Sequence, residues 1–341
     1  MQPSLTVDLN KIAHNAHVIT STCNANGIEV VGVVKACLGN PAVARAMIAG
    51  GVSTVADSRL QNLERLLDID VLRDVPRMML RQPMTWEIPR TVEITDMCLV
   101  SELATIKRIS HAASAIRKEY KVIVMVEAGD LREGVLPQDL FGFMREALRF
   151  SWIRFEGIGS NVACLQGVSP TPAMLELLVK SAGDLRERLD TRLPVVSGGN
   201  SSIWKLIEAG AVPPGVNQVR LGEAILLGQE TVDLDPIPHT FQDAIILEAE
   251  IVEIKEKPTQ QPDGLRKRAI LAIGSQDICR GALRTLDMKA KILRRSSDHL
   301  VVDVTESEHT YEIGDTISFI PSYEAMLAAM TSPFVAKSYS S

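Results

Sequence analysis

From the strand ahead of Lys35 to Gly228, short apolar runs alternate with helix-periodic segments almost without interruption, and few folds accept that pattern. The strand-like runs are VVGVV before Lys35, then Ser53–Ala56, Met78–Leu80, Met97–Val100, Lys121–Glu127, Ile153–Gly159, Leu193–Ser197 and Asn217–Arg220. Helical segments lie between them, such as Ser58–Leu67, Glu102–Lys118, Asp139–Phe150, Pro172–Leu189 and Ser201–Ala209. Strict βα alternation implies a parallel sheet, and near-continuous apolar runs imply strands covered on both faces. Eight such units in about 200 residues fit a closed (β/α)8 TIM-type barrel. An open doubly wound sheet is the main rival. Its nucleotide-binding version has no support, because no strand is followed by G-x-G-x-x-G.

Past Gly228 the character changes. PIPHTF breaks the alternation, and strand-like runs follow at Ala244–Lys255, Arg268–Ile273, Met288–Leu293, Leu300–Val304 and Thr316–Ile320, separated by turn residues. These predict a C-terminal antiparallel β domain, with KPTQQPDG (257–264) as its flexible loop. Ahead of the barrel, Leu5–Asp8 reads as a strand and Asn10 as the cap of a helix from Lys11 to about Cys23.

Composition narrows the function. A net charge of −6 and an aromatic content of 4% argue against a nucleic-acid partner. No apolar run approaches the ~18 residues of a membrane span, and MQPSLTVDLNK lacks the basic-then-apolar order of a signal peptide. Cys23, Cys37, Cys98, Cys164 and Cys279 are scattered, with no C-x-x-C pair, and read as reduced, buried thiols of a cytoplasmic protein. The histidines show no metal-ligand spacing, so no protein-built metal site is expected.

In a (β/α)8 barrel, chemistry is built at the carboxyl ends of the strands. The first barrel strand ends at Lys35. Free in water a lysine has a pKa of ~10.4 and is a poor nucleophile; partly desolvated at a barrel mouth it becomes a candidate Schiff-base amine. The plain alternative is a lysine that snorkels into solvent. The next strand ends offer Asp57-Ser58-Arg59, Arg81 and Ser101-Glu102. The fifth leads into EAGDLREG, with Glu127, Asp130, Arg132 and Glu133, and the sixth into Ser160-Asn161. The seventh gives SGGNSS (197–202): glycines, hydroxyls and a helix start that together suit an anion, or else form an ordinary capped turn. The eighth gives VRLGE, with Gly222 at a second helix start. In a closed barrel the last strand neighbours the first, which sets Arg220 close to Lys35. Two facing cations call for an anion, or Arg220 is salt-bridged to Glu223 or Asp57. Lysine, phosphate pocket and arginine together suggest pyridoxal phosphate.

VDLNKIAHN, VVKACLGN, ADSRLQN, SGGNSS and VRLGEAILLG, occurring in order along the chain, resemble the alanine racemase family of pyridoxal-phosphate enzymes. MVEAGDLREG and the C-terminal YEAMLAAMTSPFV look most like its ornithine racemase branch. The resemblance implies that Lys35 holds pyridoxal 5'-phosphate as a Schiff base and is one catalytic base. It implies that Ser201 and the backbone at Gly222 and Glu223 bind the phosphate, that Tyr323 reaches it from the β domain, and that Arg220 faces the pyridine nitrogen. Asn161 takes the place of a family histidine beside the ring, and Arg132 lies in the region of a substrate-orienting arginine. It further implies that the strand near Thr6 joins the β domain, giving a barrel over 10–235 and a β domain over 1–9 plus 236–341. A head-to-tail homodimer is implied as well. One departure is plain: the β domain lacks the family's tyrosine base, with PTQQPDGLRKR and GSQDI in its place. Two-base racemisation needs a second proton carrier. Asp277, Cys279 or a group from the EAGDLREG loop are candidates, the first equally readable as a turn residue and the second as a packed thiol.

The leading expectation is therefore a pyridoxal-phosphate racemase of a small-molecule amino acid. Asp130, Glu133 or Asp277 could bind a basic side chain such as that of ornithine or lysine. A same-fold aldolase or dehydratase would want a metal site, for which His299 and Cys279 are possible members. A non-enzymatic cofactor-homeostasis protein would have no use for so large a β domain.

Overall fold

The computed structural model describes residues 2–67, 69, 72–163, 168–258 and 264–341; Cys164 and residues 259–263 of the KPTQQPDG loop lie outside them. The chain forms two compact units, one of residues 13–35 and 39–240 and the other of residues 1–12, 36–38 and 241–341.

In sequence order, the strands begin with β1 (Ser4–Asp8), followed by β2 (Glu29–Val33), β3 (Thr54–Asp57), β4 (Arg77–Met79), β5 (Met97–Val100), β6 (Tyr120–Met125), β7 (Ile153–Gly159), β8 (Val195–Ser197) and β9 (Gln218–Leu221). The eight from β2 to β9 close into a parallel barrel. Its interior is filled by Val31, Val33, Ala56, Met78, Met97, Leu99, Ile123 and Met125, which is why these strands read as apolar runs rather than as alternating ones. Closure sets β2 between β3 and β9, with Val33 opposite Ala56 and Val31 opposite Arg220.

Beyond β2, Lys35 opens a 3₁₀ turn over Lys35–Cys37. The chain then reverses through left-handed conformations at Leu38 and Gly39. A Cβ on Gly39 would lie 2.4 Å from the Asn62 carbonyl oxygen, so the turn admits only glycine there. Asn40 caps the helix Pro41–Ala49, its side chain accepting from Ala42 N at 2.9 Å.

One cap differs from expectation. The first helix runs Leu9–Ala25, and Asp8, not Asn10, accepts the Lys11 amide at 3.0 Å. The last residue of β1 already carries a carboxylate at the position where the orphan amides point. The helix Ile88–Ile94, too short at seven residues for a clear periodic signal, fills the connection between β4 and β5.

The second unit contains β10 (Ile245–Pro258), β11 (Leu265–Leu271), β12 (Leu283–Thr285), β13 (Lys291–Arg295), β14 (Leu300–Asp303), β15 (Thr316–Pro321) and β16 (Ala336–Ser340). They form one sheet in the order β12-β15-β10-β11-β14-β13, and β1 joins it beside β10. In β10, Ile245, Leu247, Ala249 and Ile251 are buried in alternation, the pattern of a sheet packed on one face. The sheet is not purely antiparallel, since β1 pairs with β16 in parallel. β12 and β16 went unread because a three-residue strand and the polar run AKSYS carry little period-two signal. The run expected at Met288–Leu293 starts only at Lys291, because Asp287 accepts the Lys289 amide and holds a turn there. Among the described residues, no helix is long and apolar enough to cross a membrane.

Candidate active site

The barrel unit collects eight of the expected site residues, Lys35, Arg132, Glu133, Asn161, Ser201, Arg220, Gly222 and Glu223, in segments that end or follow parallel strands. Asp277 and Tyr323 belong to the second unit.

Arg220 is 5% exposed. Its Nη1 donates to Ser197 Oγ and its Nη2 to the Ser160 carbonyl at 2.6 Å. The guanidinium thus ties together the ends of β7, β8 and β9, and its planar fork suits that geometry. The same loops are fastened a second time. Asn200 donates to Asn161 Oδ1 at 2.8 Å and to the Val162 carbonyl at 2.9 Å, while its own Oδ1 accepts the Ser202 amide. Ser201 Oγ accepts the Ala224 amide at 3.2 Å, linking SGGNSS to the start of the helix Glu223–Leu227, whose N-cap is Gly222. A side chain on Gly222 would crowd the Val33 carbonyl oxygen at 3.0 Å, so the helix start is pressed against the end of β2.

A buried carboxylate, Asp57, and a half-buried one, Glu223, share the field of Lys35. Burial pushes Asp57 up to about 6, against hydrogen bonds from Arg59 N and Asn62 and against the charge of Lys35. Burial likewise pushes Glu223 up to about 7, against a hydrogen bond from Gln229 and the charge of Lys35. Asp57 and Glu223, the two carboxylates weighed from the sequence as partners of Arg220, thus bring negative charge to the strand ends that Lys35 shares. Asn62 and Gln229 were missed, since nothing in their local pattern marks them as partners of a carboxylate.

The loop after β6 is organised by Glu127. Its Oε1 accepts the amides of Gly129 at 2.6 Å and Leu131 at 3.0 Å, and its Oε2 that of Arg132 at 3.3 Å. On this frame Arg132 pairs with Glu133, Nη2 to Oε1 at 2.7 Å, and its Nε lies 3.5 Å from buried Asp130.

In the second unit, Asp277 is buried and accepts the Ser332 hydroxyl at 2.7 Å. Tyr323 is the first residue of the helix Tyr323–Thr331, which Ser322 caps. Cys279 is exposed, not packed, because it falls just after the short helix Ser275–Ile278 with φ of 50°. Cys23, Cys37 and Cys98 are buried. Among the described residues, the one carboxylate trio placed to hold a cation, Glu230, Asp233 and Asp235, surrounds the Lys205 ammonium. His299 and Cys279 belong to no such group.

The donor chemistry suits the expected cofactor. A buried guanidinium fixed by the Ser197 hydroxyl and the Ser160 carbonyl presents N–H donors suited to a ring nitrogen, and the Ser201 hydroxyl, which accepts from Ala224, keeps its own proton to donate to a phosphate. A closed barrel with a lysine at one strand end, an arginine at the end of the adjacent strand and a hydroxyl-lined helix start beyond it defines a class of cofactor-binding barrel proteins. Residues 7–230 match the model of the alanine racemase N-terminal domain, and the chain belongs to the alanine racemase family. It is 38% identical to the ornithine racemase of Acetoanaerobium sticklandii, over 99% of both chains. It is 34% identical to the lysine racemase of Thermotoga maritima, over 99% of this chain and 98% of that one. The crystal structure of Bartonella henselae alanine racemase with covalently bound pyridoxal phosphate superposes with a TM-score of 0.74 at 18% identity, covering 99% of each chain.

Proposed function

We propose that this chain is a pyridoxal-phosphate-dependent racemase that interconverts the enantiomers of a basic amino acid such as ornithine or lysine. What carries the reading is the full-length similarity to an ornithine and a lysine racemase, and the pairing of β9, which bears Arg220, with β2, which leads into Lys35, supports it. The cofactor, when bound, supplies the electron sink that makes the substrate α-proton acidic.

Each residue then has a stated task. Lys35 binds the cofactor aldehyde and moves a proton at Nζ on one face of the α-carbon. Arg220 donates to the ring nitrogen. A guanidinium with a pKa above ~12 does not give up its proton, so the ring gains charge stabilisation without being protonated. Ser201 and the amides at Gly222 and Glu223 hold the phosphate, with Tyr323 as a further donor and Asn161 beside the ring. Arg132 orients the substrate carboxylate and Glu133 serves the substrate side. For the opposite face we keep Asp277, whose carboxylate is fixed by Ser332 Oγ.

A head-to-tail homodimer is consistent with the exposed Met288, Ile313 and Phe334 of the β unit. A cytoplasmic setting agrees with the described cysteines, none of which is in a disulfide. The deciding experiment offers L-ornithine, L-lysine and L-alanine separately to the purified, cofactor-loaded protein and follows the D enantiomer by chiral chromatography. Conversion of ornithine or lysine is expected; if no amino acid in a wider panel loses optical purity, the proposal fails.

A further inference from the structure

The geometry points to Glu133 as the residue that selects for a second ammonium on the substrate, through an ion pair that exchanges. The substrate carboxylate takes the place of Glu133 on Arg132, and the substrate's side-chain ammonium takes the place of Arg132 on Glu133. This inference rests on the racemase reading above and adds how that site tells basic amino acids from neutral ones.

Three observations support it. First, the backbone under the pair is fixed. Glu127 gathers three amides of the loop, and a Cβ on Gly134 would fall 2.4 Å from the Glu127 amide nitrogen, so the loop closes without slack. Second, the side chains above it are free to change partners. Arg132 and Glu133 are 39% and 29% exposed, while Asp130 at 2% is buried and stays as the fixed counter-ion. Third, three other carboxylates at the strand ends are occupied. Glu127 accepts backbone amides, Asp57 accepts Arg59 N and the Asn62 amide, and buried Glu87 accepts the Met84 amide and pairs with Arg81. Asp277, an alternative ligand for a basic side chain, is bonded to Ser332.

The charge count then discriminates. Asp130, Arg132 and Glu133 together carry one negative charge in excess. A monoamino acid that puts its carboxylate on Arg132 raises that excess and strips Glu133 of its cation. A diamino acid brings the compensating ammonium, and every charge keeps a partner. Rejection of the neutral analogue thus comes from an ion left unpaired rather than from a clash.

The test compares L-ornithine with Nδ-acetyl-L-ornithine and norvaline, which remove the charge or the whole amine, on the wild type and on Glu133→Gln and Glu133→Asp. Bound-cofactor absorbance confirms that each variant is folded. The ratio of kcat/KM for ornithine over the neutral analogues should fall at least about tenfold in Glu133→Gln, chiefly through the KM for ornithine, and recover in part in Glu133→Asp. An unchanged ratio in Glu133→Gln overturns the inference while leaving the racemase reading intact. A wild type that racemises none of the three or lysine overturns that reading, and the inference with it.

Discussion

Arg220 and Arg132 both stand beyond strand ends of the same barrel, yet their surroundings are opposite. Arg220 is buried and held by a hydroxyl and a carbonyl; Arg132 is partly exposed and lies between two carboxylates. A guanidinium anchored in a buried setting by Ser197 and Ser160 has its position fixed before a third group arrives. A guanidinium already neutralised by carboxylates has nothing to offer until one of them leaves. The first arrangement suits a resident cofactor, the second a substrate that comes and goes.

The largest effect expected at these strand ends concerns Lys35. Lys35→Ala should abolish the cofactor's protein-bound absorbance and lower racemisation by a factor on the order of 10³ or more; normal racemisation by this variant would undo the whole assignment. Next comes Arg220→Lys. An ammonium cannot span Ser197 Oγ and the Ser160 carbonyl as the fork does, and one buried acceptor left without a donor costs about 1–3 kcal/mol. Weaker cofactor retention and a Tm several degrees lower are expected, read by absorbance after dialysis and by thermal melting. Arg132→Lys should be milder. It should raise KM about tenfold, with cofactor content and Tm held, because the pair it breaks is partly exposed. Equal losses of cofactor from the two arginine variants would erase the distinction drawn between them.

The smallest effect is a pH dependence of stability. Glu223 is raised from 4.5 to about 7 by burial, so the folded state binds its proton more tightly than the unfolded one. The stability it contributes is fully present below the unfolded value and is lost as pH rises through about 7. Glu223→Gln should therefore gain in Tm relative to the wild type between pH 5 and pH 8, by a few degrees. A difference that is flat across that range would mean that Glu223 is not desolvated beside Lys35.

Much of this was legible in the chain. The alternation of apolar runs with periodic helices marked all eight barrel strands, two of them to the residue, because buried parallel strands must be apolar throughout. Lys35, SGGNSS and Arg220 could be placed at strand ends by counting. Side-chain partners were less legible. Asp8 displaced Asn10 as a cap by lying nearer the first orphan amides, and Cys279 proved exposed because a left-handed residue after a four-residue helix turned it outward. β16 gave no warning, since its pairing with β1 joins residues more than 300 positions apart.

The sequence by itself determined the barrel, the order of the strand ends and the adjacency of the first and last barrel strands, because hydrophobic period and strand count are local quantities that closure converts into neighbours. Only the tertiary structure decided which partner each charge took. Arg220 found Ser197 and Ser160, and Asp57 and Glu223 came into the field of Lys35 with their proton affinities raised. Burial and the approach of distant loops set those energies, and neither can be read from the residues on either side.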